Sequence, residues 1–155
     1  SGEQRNRGIE LSFYGEPVTG FRLLGGFAVV DARLEDTANG VDEGNRAVGV
    51  PKFQANLGVE YDLPFVPGLT VDGRMIHTGK QYINTANTFE VDSWTRFDVG
   101  LRYATFWGDT PVTVRARVEN VTDESYWASV GGFPGSNYLV QGAPRTFLTN
   151  VTVDF

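Results

Sequence analysis

Between Lys52 and Asp62 the chain alternates without a break. Phe53, Ala55, Leu57, Val59 and Tyr61 take one parity, and Gln54, Asn56, Gly58, Glu60 and Asp62 take the other. A period of two belongs to an extended strand whose successive side chains point to opposite faces. The pattern recurs along the chain. Ile9, Leu11 and Phe13 oppose Glu10, Ser12 and Tyr14 within a strand expected over Arg7–Gly15. Leu69, Val71, Gly73 and Met75 oppose Thr70, Asp72 and Arg74, with Ile76 and His77 breaking the pattern near Thr78. Further alternating strands are expected over Trp94–Tyr103 and Val112–Glu119, and a last one with Phe147, Thr149, Val151, Val153 and Phe155 on one parity. Phe21–Ala32 is apolar on both parities and holds Gly25-Gly26 at its centre, a sign of a bend or of close packing. The chain therefore reads as about seven strands of eight to twelve residues, an antiparallel all-β fold with no second domain.

The connections sort by length. Glu16–Gly20, Pro64–Gly68 and Phe106–Pro111 are short and rich in Pro or Gly, whereas Arg33–Val50, Gly79–Ser93 and Asp123–Gly142 are long. Short turns at one end and long loops at the other are the asymmetry of membrane barrels. No run of about 18 apolar residues is present, so a transmembrane helix is not expected. A mean hydropathy of −0.22 is compatible with a barrel, because alternation averages out. The N-terminus does not read as a signal peptide.

Alternation does not say which face is outside, and a soluble barrel or sandwich binding a small apolar ligand shows the same period. Two features favour the apolar face outward. The polar parity is heavily charged, with Glu60, Asp72, Arg74, Arg96, Asp98, Arg102, Arg115, Arg117 and Glu119, which can pair inside a hydrated barrel. Aromatic residues gather at strand ends: Tyr14, Phe21, Tyr61, Phe65, Tyr103, Phe106, Trp107 and Phe155 toward the short turns, and Phe53, Trp94, Phe97 and Phe147 toward the long loops. Two such bands match the girdles of a membrane barrel. Seven hairpin-linked strands leave the first and last parallel, so they cannot close an antiparallel barrel alone.

Several stretches resemble the TonB-dependent siderophore receptors. Gly2-Glu3-Gln4-Arg5-Asn6-Arg7-Gly8-Ile9-Glu10-Leu11 is similar to their GEQRSRGVEL pattern. Gly44–Pro51 resembles a loop that precedes a strand in those receptors, with Ala47 where Pro is common. Arg117–Trp127 resembles NV-x-NLFD-x-x-YW, with Val121-Thr122 in place of Leu-Phe. Gly142-Ala143-Pro144-Arg145-Thr146-Phe147 and the Asp154-Phe155 ending complete the match in family order. The resemblance implies a segment of a 22-stranded bacterial outer-membrane barrel plugged by an N-terminal domain. Residues 1–155 align with the end of the barrel, and neither plug nor TonB box is in the sequence. The implied function is ferric-siderophore uptake. The implied partners are the ferric siderophore, outer-membrane lipid, TonB acting through the plug, and the barrel assembly machinery. A terminal aromatic such as Phe155 resembles the signal that this machinery reads.

Composition narrows the alternatives. A net charge of −6 argues against nucleic acid as a partner. With no cysteine and one histidine, His77, thiolate sites and nucleophile–His–acid arrangements are not expected, so the chain does not read as an enzyme and no cofactor is implied. His77 reads as an interfacial or loop-proximal residue. Gly131–Ser136 lacks the lysine of a phosphate loop and reads as a flexible loop. Asp36, Asn39, Asp42 and Glu43 lack calcium-loop spacing. Asp72 and Asp98 alternate with arginines, as a structural charge network would. The ligand candidates are the long-loop aromatics Tyr82, Trp94, Tyr126, Trp127, Phe133 and Tyr138, because binding sites favour aromatics with a few polar groups. Arg96 and Arg145 are candidates for attracting an anionic complex.

Overall fold

The computed structural model describes residues 2–133 and 136–154, the side chain of Phe133 excepted. In chain order the strands are β1 (Glu3–Val18), β2 (Phe21–Glu35), β3 (Phe53–Asp62), β4 (Leu69–Thr78), β5 (Gln81–Tyr82), β6 (Glu90–Val91), β7 (Trp94–Trp107), β8 (Thr110–Glu119), β9 (Trp127–Phe133), β10 (Ser136–Gln141) and β11 (Thr146–Val153). Seven of them form one antiparallel sheet in the order β1-β2-β3-β4-β7-β8-β11. The pairs β5–β6 and β9–β10 are separate hairpins inside long loops.

The seven expected strands are the seven of this sheet, but β1, β2 and β7 run further than the alternation indicates. Glu3–Asn6 pairs with Ala32–Glu35, so β2 takes up the start of the expected loop Arg33–Val50, and Ala104–Trp107 extends the β7–β8 ladder. The turn expected over Glu16–Gly20 tightens to Thr19-Gly20, and that over Phe106–Pro111 tightens to Gly108-Asp109. Gly20 and Gly108 take φ values of 78° and 63°, which glycine adopts without strain. Gly131 and Gly132 lie in β9, so the expected flexible loop is largely hairpin.

Register assigns every side chain to a face. One ladder rung joins Phe13, Gly25, Leu57, Met75 and Phe97, so the apolar parities of five strands share a face. The next rung joins Tyr14, Leu24, Gly58, Arg74 and Asp98 on the opposite face. Gly25-Gly26 does not break β2. The Phe13 ring lies over Gly25, where a Cβ would stand 2.7 Å from its Cζ.

The apolar face is bare. Ile9, Leu57, Tyr61, Val71, Phe97, Val99, Leu101 and Phe147 are all exposed. Aromatic residues border it at both ends. Phe21 and Tyr61 meet edge-on, with ring centroids 6.2 Å apart, near the short turns. Phe27 and Phe53 meet at 6.4 Å near the long loops, and Phe53 also lies 5.7 Å from His77, which shares a hydrogen bond with Thr95. Phe53 and Tyr61 are about 26 Å apart along β3 at the usual rise per residue, the height of a membrane barrel's apolar band. The upper belt steps down the ladder: Phe97 lies on the rung of Leu57, and Phe147 on that of Val118 and Val99. Tilted strands of a barrel produce such a stagger. Tyr14, Trp94 and Phe106 have the opposite parity and leave the belts to which the sequence assigned them.

The polar face carries the charge network. Arg22 donates to Glu60 at 3.0 Å and to both oxygens of Asp62 at 2.7 and 2.8 Å, and Thr70 donates to Asp62 at 2.7 Å. Arg117 reaches Asp72 two strands away. Gly100, on the rung between them, permits this: a Cβ there would collide with the Asp72 carboxylate. Replacing Gly100 by Ala should therefore break the bridge and cost about 1 kcal/mol. The same substitution in an Asp72→Ala background should cost clearly less, measured by urea unfolding of the whole receptor. Equal costs in the two backgrounds would rule out the bridge as the reason.

Candidate ligand-capturing rim

The upper end of the charged face is closed by a knot of side chains at the end of β8. Asn120 takes a φ of 54°, a left-handed conformation that asparagine tolerates, and turns the chain out of the sheet. Its side chain then fastens both roots of the third long loop. Nδ2 donates to the carbonyls of Glu124 and Ala143 at 2.9 and 3.0 Å, and Oδ1 accepts from the Glu124 amide at 2.8 Å. Asp123, also at positive φ, accepts from the Arg145 amide at 2.9 Å.

Beneath Asn120 lies Asp98, only 1% exposed. One of its oxygens accepts from the Asn120 amide at 2.9 Å, and the other accepts from Arg96 at 2.8 Å. Arg96 also donates to the Tyr126 hydroxyl at 3.2 Å and lies 3.8 Å from Glu119. The Tyr126 ring packs on Trp94 with centroids 4.2 Å apart. Its other neighbour is Gly142, where any Cβ would strike the ring. The motifs around Asn120 and Gly142, distant in sequence, thus meet in one place.

The other two long loops are tied to each other. Asn87 grips the backbone of Arg46, accepting from its amide at 2.7 Å and donating to its carbonyl at 3.0 Å. Asn45 donates to the Thr85 carbonyl at 2.9 Å, and the Gly49 amide donates to the Tyr82 carbonyl at 3.0 Å. Ala47 between them is 1% exposed. Gly49, at φ 71°, lets the first loop press against the Val130 backbone of the third, where a Cβ would collide. In the second loop Lys80 donates to Glu90 at 2.7 Å and lies 3.4 Å from Asp92. The two carboxylates, Glu90 foremost, hold its ammonium above the usual lysine range.

The structure brings together Trp94, Arg96 and Tyr126 of the residues expected to form the site. Arg96 is committed to Asp98 and Tyr126, so its charge is matched in this arrangement. Tyr82 is half-buried in β5. Trp127 opens β9, 41% exposed beside the buried Tyr126. Tyr138 in β10 is exposed and covers Gly131. Arg145 is exposed at the root of the third loop. The Phe133 side chain and Phe155 lie outside the described residues. Sequence reasoning missed Asn87 as a loop clamp and Asn120 as an anchor. The only signal of Asn120 was its place in the Arg117–Trp127 motif, since hydrogen bonds across loops leave no period. Among the described residues no group of three His, Asp or Glu is placed to hold a metal ion.

Residues 1–121 match the model of the family described as TonB dependent receptor-like, beta-barrel. The chain is 48% identical over 154 residues to the ferrichrome receptor FcuA of Yersinia enterocolitica, covering 99% of this chain and 20% of that protein. It is 31% identical to the ferrichrome outer membrane transporter/phage receptor of Escherichia coli K12, again over 99% of this chain and 20% of the relative. The crystal structure of BauA, the ferric preacinetobactin receptor of Acinetobacter baumannii, superposes with a TM-score of 0.89 at 47% identity, over 99% of this chain and 22% of that one. The chain thus spans about a fifth of the length of these relatives.

Proposed function

Because the chain belongs to the TonB-dependent receptor-like β-barrel family, we propose that it is the C-terminal wall and rim of a receptor that imports a ferric siderophore across the outer membrane. The family resides in the outer membrane, and the bare apolar face between two aromatic belts is the surface that such a barrel turns to lipid. That partition of faces carries the reading. A soluble barrel would turn Phe53, Leu57, Val71, Phe97 and Leu101 inward, and the two aromatic belts bordering that face would then have no role. The known relatives are receptors and transporters rather than enzymes.

On this reading residues 1–155 are barrel, and the plug and its contact with TonB belong to the rest of the receptor. β1 and β11 are edges of the sheet, run parallel, and would each pair with strands of that remainder. The chain's part in uptake is passive. Its strands hold the wall, and Tyr82, Trp94, Trp127, Phe133 and Tyr138 on its tied loops are the proposed contacts of an incoming complex, with the buried Tyr126 packed against Trp94 as their support. Two relatives of nearly equal identity, 48% and 47%, take different ligands by name, ferrichrome and ferric preacinetobactin. The proposal is therefore to the class of ferric siderophores. Cells carrying the whole receptor should accumulate radioactive iron from at least one ferric siderophore of a mixed panel, and only when TonB is present. Uptake independent of TonB, or from none of the panel, would refute it.

Trp127 offers the exposed indole nearest the knot. Replacing it by Ala in the whole receptor should weaken siderophore binding about tenfold, as loss of an aromatic anchor does, with the amount of receptor in the membrane unchanged. Unaltered affinity would remove Trp127 from the site. Phe155 continues the lipid-facing parity of Phe147, Val151 and Val153, and we assign it to recognition by the barrel assembly machinery. Its deletion should lower the receptor level in the outer membrane, read by surface labelling. An unchanged level would refute that role.

A further inference from the structure

Near the short turns, one rung of the charged face joins Asp62, Thr70, Arg102, Arg115 and Asn150 across five strands. Arg102 and Arg115 stand directly opposite each other on it. Like charges directly opposite in a sheet are destabilising. Arg117 adds a third guanidinium on the next rung, two residues along β8. The carboxylates on these two rungs are already committed. Glu60 and Asp62 hold Arg22, and Asp72 holds Arg117. Arg102 reaches only the Thr70 hydroxyl, at 3.2 Å, and that hydroxyl donates its own proton to Asp62. Arg115 is exposed and has no ion pair or side-chain hydrogen bond among the described residues.

The surroundings show what kind of partner this pair lacks. Thr70, Asp72, Arg102, Arg115 and Arg117 line a cleft of about 160 Å³ on the charged face. Leu148 stands opposite Arg117, and Phe106 lies four residues beyond Arg102 on the same parity. These two are 48% and 70% exposed. Water and mobile ions would balance the charge but leave both apolar side chains uncovered. A protein surface that carries a carboxylate answers both.

We propose that Arg102 and Arg115 receive an acidic side chain of the receptor's own plug, an ionic latch that ties the plug to this wall. The place in the fold selects this occupant. The charged face is the interior of the barrel, which lipid does not reach, and on the reading above the plug is the domain that fills it. A carboxylate between two facing guanidiniums takes paired N–H donors from both and turns their repulsion into attraction. The short turns mark the periplasmic end of an outer-membrane barrel, so the latch sits on the side from which TonB acts. It rests on the reading of the chain as the wall of a plugged receptor but not on which siderophore is carried.

The test uses the purified whole receptor without siderophore. Arg115→Lys keeps the charge and supplies an amine, which a water-soluble carbodiimide joins to an adjacent carboxylate as an amide, the carbodiimide taking up the water released. Mass spectrometry of the digested receptor should find position 115 linked to an Asp or Glu of the plug. Links only to Glu60, Asp62 or Asp72, or no link, would overturn the proposal. A second variant measures the energy. Arg102→Gln/Arg115→Gln should lower the plug's folded-to-unfolded ratio in urea at least about tenfold, read by a spin label on the plug, with siderophore affinity unchanged. Without an occupant, removing two facing cations leaves stability equal or raises it, and that result would overturn the latch. Weaker siderophore binding with an unaltered plug would assign the arginines to the ligand and overturn it as well. A failed cross-link in a receptor whose iron uptake still needs TonB would refute the latch alone and leave the transport reading standing.

Discussion

Replacing Asp98 by Ala in the whole receptor should destabilise it by about 3 kcal/mol, the cost of leaving one partner of a buried ion pair uncompensated. Asp98 is almost fully buried, and both of its oxygens are used. One satisfies the Asn120 amide, and the other neutralises Arg96, whose side chain is 17% exposed. Without the carboxylate, Arg96 keeps its charge with only Glu119, at 3.8 Å, nearby. The damage should also spread along the chain. Asn120 holds Glu124 and Ala143, so amide hydrogen exchange should accelerate across residues 120–145 and not in the turn at residues 63–68. Asp98→Asn keeps an acceptor for the Asn120 amide but loses the charge, so its cost should fall between wild type and Asp98→Ala. Thermal unfolding ranks the three. An Asp98→Ala receptor as stable as wild type, with unchanged exchange over the loop, would show that the knot does not hold the rim.

Much of the wall was legible in the sequence because its physics is periodic. A strand with lipid on one side and hydrated charge on the other must alternate, and Phe53–Asp62 does so at every position. The same parity set Arg96 and Asp98 together before any contact was known, whereas Trp94, read as part of an aromatic belt, joins them only in the structure. The segments where alternation stops were misjudged for the same reason. Glu3–Asn6 in β1 is uniformly polar, so nothing in its pattern announced a strand. β2 is apolar on both parities, and only register shows Leu24 on the charged face beside Tyr14 and Phe27 on the bare one. The rim was the least legible. Tyr126 reaches Trp94 only because Asn120 bends the chain at a positive φ and Gly142 leaves room for the ring. Asn87 meets Arg46 across 41 residues, a contact for which neither composition nor spacing gives a sign.

An arginine at position 57 should cost roughly 2–4 kcal/mol in the lipid-embedded receptor, whereas one at position 56 should cost much less. Leu57 lies midway between Phe53 and Tyr61, the two belts of its own strand, and takes the bare apolar parity beside Met75. At that depth a guanidinium must be carried into hydrocarbon, and no carboxylate shares its rung: Phe13, Gly25, Met75 and Phe97 do. Asn56 is exposed on the other face, with Gly26 and Ile76 on its rung and the Glu60–Arg22–Asp62 network further down the strand. Reversible unfolding in lipid measures both costs. A penalty at 57 alone is ambiguous, because a packed soluble core would also reject an arginine there. Spin labels remove the ambiguity. In the whole receptor reconstituted in bilayers, a label at 57 should collide freely with dissolved oxygen and be shielded from a water-soluble nickel reagent. A label at 56 should show the reverse ranking. Shielding from both reagents at 57 would place that side chain in protein rather than lipid, and the outward-facing wall would then be wrong.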